Sequence, residues 1–161
     1  MKTITRNLLF GLALVCSAMI FAAQASAQSG HFLDQNLQCR DIGTQLQCTG
    51  KVAGLGGTTF EIEVEAEGQA IVECTNAGGN VAPGQTTDAT LTGSTGPQPT
   101  PRNGSFRFSF TTVSPPAPAE SCPNSGWTAT VVDIVFTTAT LQLIEDGVVS
   151  DERTVTVQPE S

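Results

Sequence analysis

The sequence predicts an all-β chain folded as a two-layer antiparallel β-sandwich, and three observations carry that expectation. Apolar residues recur with a period of two rather than 3.6, and the short runs are separated by Gly- and Pro-rich turns. Four cysteines follow an N-terminal apolar stretch, as in exported domains braced by disulfides.

The alternation is clearest in two places. In Phe60-Glu61-Ile62-Glu63-Val64-Glu65-Ala66-Glu67 one face is apolar and the other is entirely glutamate. In Ser105-Phe106-Arg107-Phe108-Ser109-Phe110 the phenylalanines share a face and polar groups take the other. A strand sends successive side chains to opposite sides, so each segment describes a sheet with one packed and one wet face.

Strands are expected at 46–53, 60–67, 69–75, 86–95, 106–113, 128–136, 139–144 and 148–157. Gly54-Leu55-Gly56-Gly57 supplies a tight connection after the first, and Gly68 a bend between the second and third. Proline-rich stretches at Pro97-Gln98-Pro99-Thr100-Pro101 and Pro115-Pro116-Ala117-Pro118 are expected to be irregular, because proline lacks a backbone donor and restricts its neighbour. The most apolar strand, 128–136, is expected to be central, and Asp146-Gly147 reads as a type I′ hairpin turn.

About eight short strands with Gly/Pro turns fit an immunoglobulin-like architecture, an eight-stranded barrel being the alternative. The expected core is Phe60, Ile62, Val64, Phe106, Phe108, Phe110, Val132, Ile134, Phe136, Leu141 and Leu143.

At the N-terminus, Lys2 and Arg6 precede an apolar run at 8–23 and then Ala25-Ser26-Ala27, the order of a secretory signal peptide. Cleavage is expected after Ala27, giving a signal peptide at 1–27, a flexible segment at 28–38 and one sandwich domain at 39–161. Cys16 leaves with the signal. The destination is secreted or cell-surface, with the periplasm as the alternative.

Cys39, Cys48, Cys74 and Cys122 then form two disulfides, and of three pairings Cys39 with Cys48 and Cys74 with Cys122 is preferred. The first closes a short turn around Gly43, and the second ties distant strand ends together. The spacings lack a CxxC pair and His31 is the only histidine, which speaks against zinc.

The whole chain carries a formal net charge of −8, and removal of Lys2 and Arg6 takes this to −10. A surface of that sign repels phosphate backbones and anionic headgroups, so nucleic-acid and membrane-surface binding are not expected. The same excess also keeps an exported protein soluble.

The search for chemistry finds little. Nucleophilic catalysis needs a base beside a serine or cysteine, and His31 lies near the start of the mature chain. The four glutamates of 60–67 stand roughly 7 Å apart along one strand face. A glycosidase pair needs unlike environments to divide acid from base, and equivalent exposed carboxylates offer none. No enzyme is expected, and no cofactor.

Glu61, Glu63, Glu65 and Glu67 are instead a candidate contact surface. The plain reading is a solvated face that discourages aggregation; the functional one is a surface for calcium or a cationic partner. A straight stripe diverges where calcium needs converging ligands. Trp127 is the other candidate contact, a flat aromatic whose exposure would favour a carbohydrate or protein partner and whose burial would make it an end cap.

The runs CTGKVAGLG at 48–56 and CTNAGGNVAPGQ at 74–85, with Cys122-Pro123-Asn124 and Trp127, resemble elements of small secreted bacterial β proteins with four cysteines in the mature chain. The resemblance covers nearly all of that chain. It implies one exported domain and assigns no site residue.

The functional expectation is a noncatalytic surface, matrix or envelope protein acting through protein contacts or self-association. The alternative is a secreted binding module, either an inhibitor of an extracellular hydrolase presenting a proline-stiffened loop or a carbohydrate-binding domain.

Overall fold

A computed structural model describes residues 30–160, so the expected signal peptide at 1–27 lies outside the described residues. The strands are β1 (His31–Phe32), β2 (Gln38–Asp41), β3 (Leu46–Ala53), β4 (Thr59–Asn76), β5 (Val81–Pro83), β6 (Thr87–Ser94), β7 (Gln98–Pro99), β8 (Ser105–Thr111), β9 (Trp127–Glu145) and β10 (Val148–Thr156).

They form two antiparallel sheets. In the smaller one, β3 pairs with β8 along one edge and with β2 and β1 in succession along the other. In the larger one the order is β10-β9-β4, and β7, β6 and β5 follow one another along the free side of β4. The apolar inner faces meet, with the rings of Phe60 on β4 and Phe106 on β8 at 5.0 Å edge to face. The fold is therefore an unclosed β-sandwich, as the alternation predicts.

Glycine does not break the second strand as expected. Segments 60–67 and 69–75 are one strand of 18 residues, and 128–136 with 139–144 are one of 19. A Cβ on Gly68 would lie 2.8 Å from the Val135 carbonyl oxygen, so glycine serves there for a close backbone approach.

The β4/β9 ladder shifts register between Glu67 and Gly68 and again between Ile71 and Val72, leaving Thr137 and Val132 as the extra residues on β9. The second shift corrects the expected core: Val132 is 42% exposed because a bulge takes it out of the alternation. Phe106 and Phe110 are half-buried, as β8 is an edge strand. The other expected core residues, Phe60, Ile62, Val64, Phe108, Ile134, Phe136, Leu141 and Leu143, are buried.

The segment expected to be flexible is built in over its described part. His31 and Phe32 pair with Ala53 and Val52, and Phe32 is 2% exposed against the Phe108 ring. An apolar side chain that close to a strand edge gains more from burial than its backbone loses in freedom.

The cysteines pair as Cys39–Cys48 and Cys74–Cys122. The first joins directly opposite residues of the β2/β3 hairpin, whose turn has Gly43 at φ +87°. The second pins the 3-10 turn Ala119–Ser121 and the chain after it over the far end of β4. Among the described residues no helix is long and apolar enough to cross a membrane.

Candidate functional site: an acidic groove on the larger sheet

The inward alternation of Phe60, Ile62, Val64 and Ala66 forces Glu61, Glu63, Glu65 and Glu67 onto the outer face of β4. Their neighbours follow from register. Glu63 lies between Ser94 on β6 and Gln142 on β9, Glu65 between Thr92 and Thr140, and Glu67 between Thr90 and Thr138. A groove of about 690 Å³ runs over these rows and stops at Glu67 and Thr138, next to the first bulge.

Its walls are carboxylates, hydroxyls and one amide. The Thr140 and Thr154 hydroxyls stand 3.1 Å apart, and Gln142 donates its amide to Glu152 at 2.7 Å. The Ser94 hydroxyl donates to Glu61, fixing that carboxylate at the groove's end. Glu63, Glu65 and Glu67 are exposed and equivalent. No aromatic side chain among the described residues lines the groove. Among the described residues, no group of three or more His, Cys, Asp or Glu converges as metal ligands would.

Trp127 is not brought to this place. It opens β9 opposite Asn76 at the far end of the ladder, half-exposed. Of the proline-rich segments, the first is held in the sheet and the second is irregular and partly exposed. Gln98–Pro99 is held as β7 against Thr59 and Phe60, and Pro115, Ala117 and Pro118 are half-buried.

Sequence reading missed a second set of carboxylates where β9 ends opposite the start of β4. Glu145 ends β9 with its side chain fully buried, accepting backbone N–H groups from Gly30 at 3.0 Å, Gly56 at 2.8 Å and Gly57 at 3.3 Å. The glycine-rich turn does hold an anion, and the anion is the chain's own. The signal was present in the alternation, for Leu141, Leu143 and Glu145 share the inward face, and a carboxylate there has to find donors.

The next residue, Asp146, has φ 47° in the turn with Gly147 at φ 82°, the type I′ geometry expected. Its carboxylate accepts the Thr58 hydroxyl at 2.7 Å and the Thr59 amide at 2.9 Å. These bonds, the Thr58 hydroxyl first, lower its pKa from 3.8 to about 2. At Asp41 the balance runs the other way, desolvation raising the pKa against the bond from the Gly43 amide. Glu145 and Asp146 together lock the 54–57 turn, which closes the lower end of β4 below the groove.

No protein-family model and no curated protein matches the chain. Among solved structures the chain is similar to part of a glycosyl hydrolase family 2 member from Bacteroides cellulosilyticus, with 8% identity and a TM-score of 0.39, over 81% of this chain and 15% of that one. It is also similar to part of beta-glucuronidase 2 from Bacteroides uniformis, with 11% identity and a TM-score of 0.35, over 78% of this chain and 14% of that one. The chain thus spans about 15% of the length of those enzymes.

Proposed function

We propose that this is a noncatalytic, exported binding module whose ligand lies in the acidic groove over β4. The observation that supports it most is the groove itself: Glu63, Glu65 and Glu67 repeat along its floor with no cation beside them among the described residues. Equivalent exposed carboxylates do not divide acid and base roles, so they suit recognition better than hydrolysis. Their repeat of roughly 7 Å is the spacing of alternate residues in any extended chain. A segment with Lys or Arg at alternate positions lies along it in register, and we take such a cationic polypeptide as the ligand.

This reading puts the contact on a sheet face rather than on a strand edge, the bulges at Val132 and Thr137 lying inside the β4/β9 ladder. For the inhibitor reading, Gln98–Pro99 is tied down as β7, while the 113–118 segment keeps Val113, Ser114 and Pro116 exposed. A carbohydrate keeps one supporting observation, the row of hydroxyls and an amide at Thr92, Ser94, Thr138, Thr140 and Gln142.

Calorimetry on the exported protein separates these readings, with the peptide Lys-Thr-Lys-Thr-Lys-Thr-Lys against its Glu counterpart and a panel of oligosaccharides. Binding of the lysine peptide that weakens about tenfold in Glu63→Gln/Glu65→Gln is expected, each exposed pair contributing about 0.2–1 kcal/mol. Saturable binding of an oligosaccharide with none of the peptide would overturn the cationic reading.

A further inference from the structure

The charges of the sandwich are segregated by face. The outer face of the smaller sheet carries Arg40, Lys51 and Arg107, and no carboxylate stands at an outward position of β2, β3 or β8, where Gln47, Thr49 and Ser109 lie; Gln158 pairs alongside Arg40, two residues before Glu160. The outer face of the larger sheet carries the glutamate stripe with Glu152, and no lysine or arginine. The ion pairs among the described residues are made by Arg153, with Asp34 and Asp151, away from both faces.

One detail of the basic face goes further. Lys51 stands directly opposite Arg107 across the β3/β8 ladder. Like charges in that position destabilise a sheet, and neither side chain has an ion pair among the described residues to offset the repulsion. Beside Arg107 the surface dips into a hollow of about 350 Å³ walled by Asn36, Gln38 and Thr49.

We infer that the partner of the acidic groove is a second copy of this chain, presenting its Arg40–Lys51–Arg107 face. The inference rests on the groove being a binding surface and names its occupant, whose cations come one from each of β2, β3 and β8 rather than from alternate positions of one segment. Charge complementarity carries it: among the described residues the strands of one face offer cations without acids and those of the other acids without cations, on opposite sides of one sandwich. Lys51 and Arg107 stand about 5 Å apart on adjacent strands, so their side chains reach one row of carboxylates together. Because the contacting patches differ, the contact is head-to-tail and leaves a free face at each end, so copies add in a row rather than closing as a pair. The overall negative charge opposes this at long range, which makes association weak at low ionic strength, strongest at moderate salt and weak again when salt screens the contact itself.

The test uses sedimentation and light scattering on the exported protein across concentration and salt, with Glu63→Gln/Glu65→Gln and Lys51→Gln/Arg107→Gln. The wild type is expected to show mass rising with concentration, and each variant association about tenfold weaker or more. The two variants mixed together retain one intact face each and are expected to form a 1:1 complex that grows no further. A wild-type protein that stays monomeric at every concentration and salt would overturn the inference. If that monomer still binds the lysine peptide through Glu63 and Glu65, only the identity of the partner falls; if it binds neither, the groove reading falls too. Variants that still associate, or a mixture that polymerises, likewise sink the head-to-tail contact.

Discussion

The buried carboxylate of Glu145 accepts the amide of Gly30 at 3.0 Å, joining the start of the described chain to the end of β9 across 115 positions of sequence. A Cβ on Gly30 would fall 2.4 Å from the same oxygen, so only glycine lets the chain approach so closely. With the Gly56 and Gly57 amides on the other oxygen, one side chain fastens both the N-terminal strand and the turn below the groove.

Removing it leaves those donors without their carboxylate. Glu145→Ala is expected to cost about 2–4 kcal/mol in chemical denaturation, and Gly30→Ala about 1–3 kcal/mol by forcing the carboxylate aside. Loss of hydrogen-exchange protection at Phe32 in both variants would place the effect on β1; unchanged protection would contradict it.

Asp146 gives the protein a definite acid response. Its folded pKa of about 2 lies below the ordinary 3.8, so its bonds to Thr58 and Thr59 add stability above the ordinary value. That increment disappears as pH falls from about 5 toward 2. Asp146→Asn keeps a side chain suited to φ 47° but does not titrate, and denaturation midpoints measured over that interval are expected to fall less steeply than in the wild type.

The two disulfides should contribute unequally. Cys39–Cys48 closes a separation of 9 residues and Cys74–Cys122 one of 48. On the chain-entropy account these stabilise by about 2.5 and about 4 kcal/mol, so paired Cys→Ala replacement at 74 and 122 is expected to lower the midpoint further. The opposite order would show that loop closure does not govern their effect.

The bulges predict a contrast along the long ribbon. Ile62→Ala, in the packed half of β4, should cost about 2–5 kcal/mol, and Val132→Thr, at an exposed bulge, about 0.5 kcal/mol or less. Gly68→Ala, against the Val135 carbonyl, is expected to cost about 1–3 kcal/mol although nothing in the sequence marks it as more than a bend.

These elements show what the sequence exposes and what it conceals. Alternation at Phe60–Glu67 fixes both a core face and a charged face from local geometry alone, and Asp146-Gly147 announces its turn because only such residues take positive φ cheaply. A bulge has no comparable signature. It depends on how two distant strands keep step, so the continuity of β4 through Gly68 and the outward turn of Val132 are tertiary facts.

The site divides the same way. The glutamate stripe is legible, whereas its flanking Thr92, Ser94, Thr140 and Gln142 come from strands up to about 80 residues away and appear only with the register. The sorting of Lys51 and Arg107 onto the face opposite the glutamates is likewise invisible until the inward alternation of β3 and β8 is set against that of β4.

The claim that the groove over β4 is the binding surface is tested most directly by amide chemical-shift mapping of the ¹⁵N-labelled protein during titration with the alternating lysine peptide. Shifts that saturate together at Glu63, Glu65, Thr92 and Thr140, and that vanish in Glu63→Gln/Glu65→Gln, are the predicted result. Saturable shifts centred on Trp127 or the 115–118 segment, with the groove amides unmoved, would contradict it.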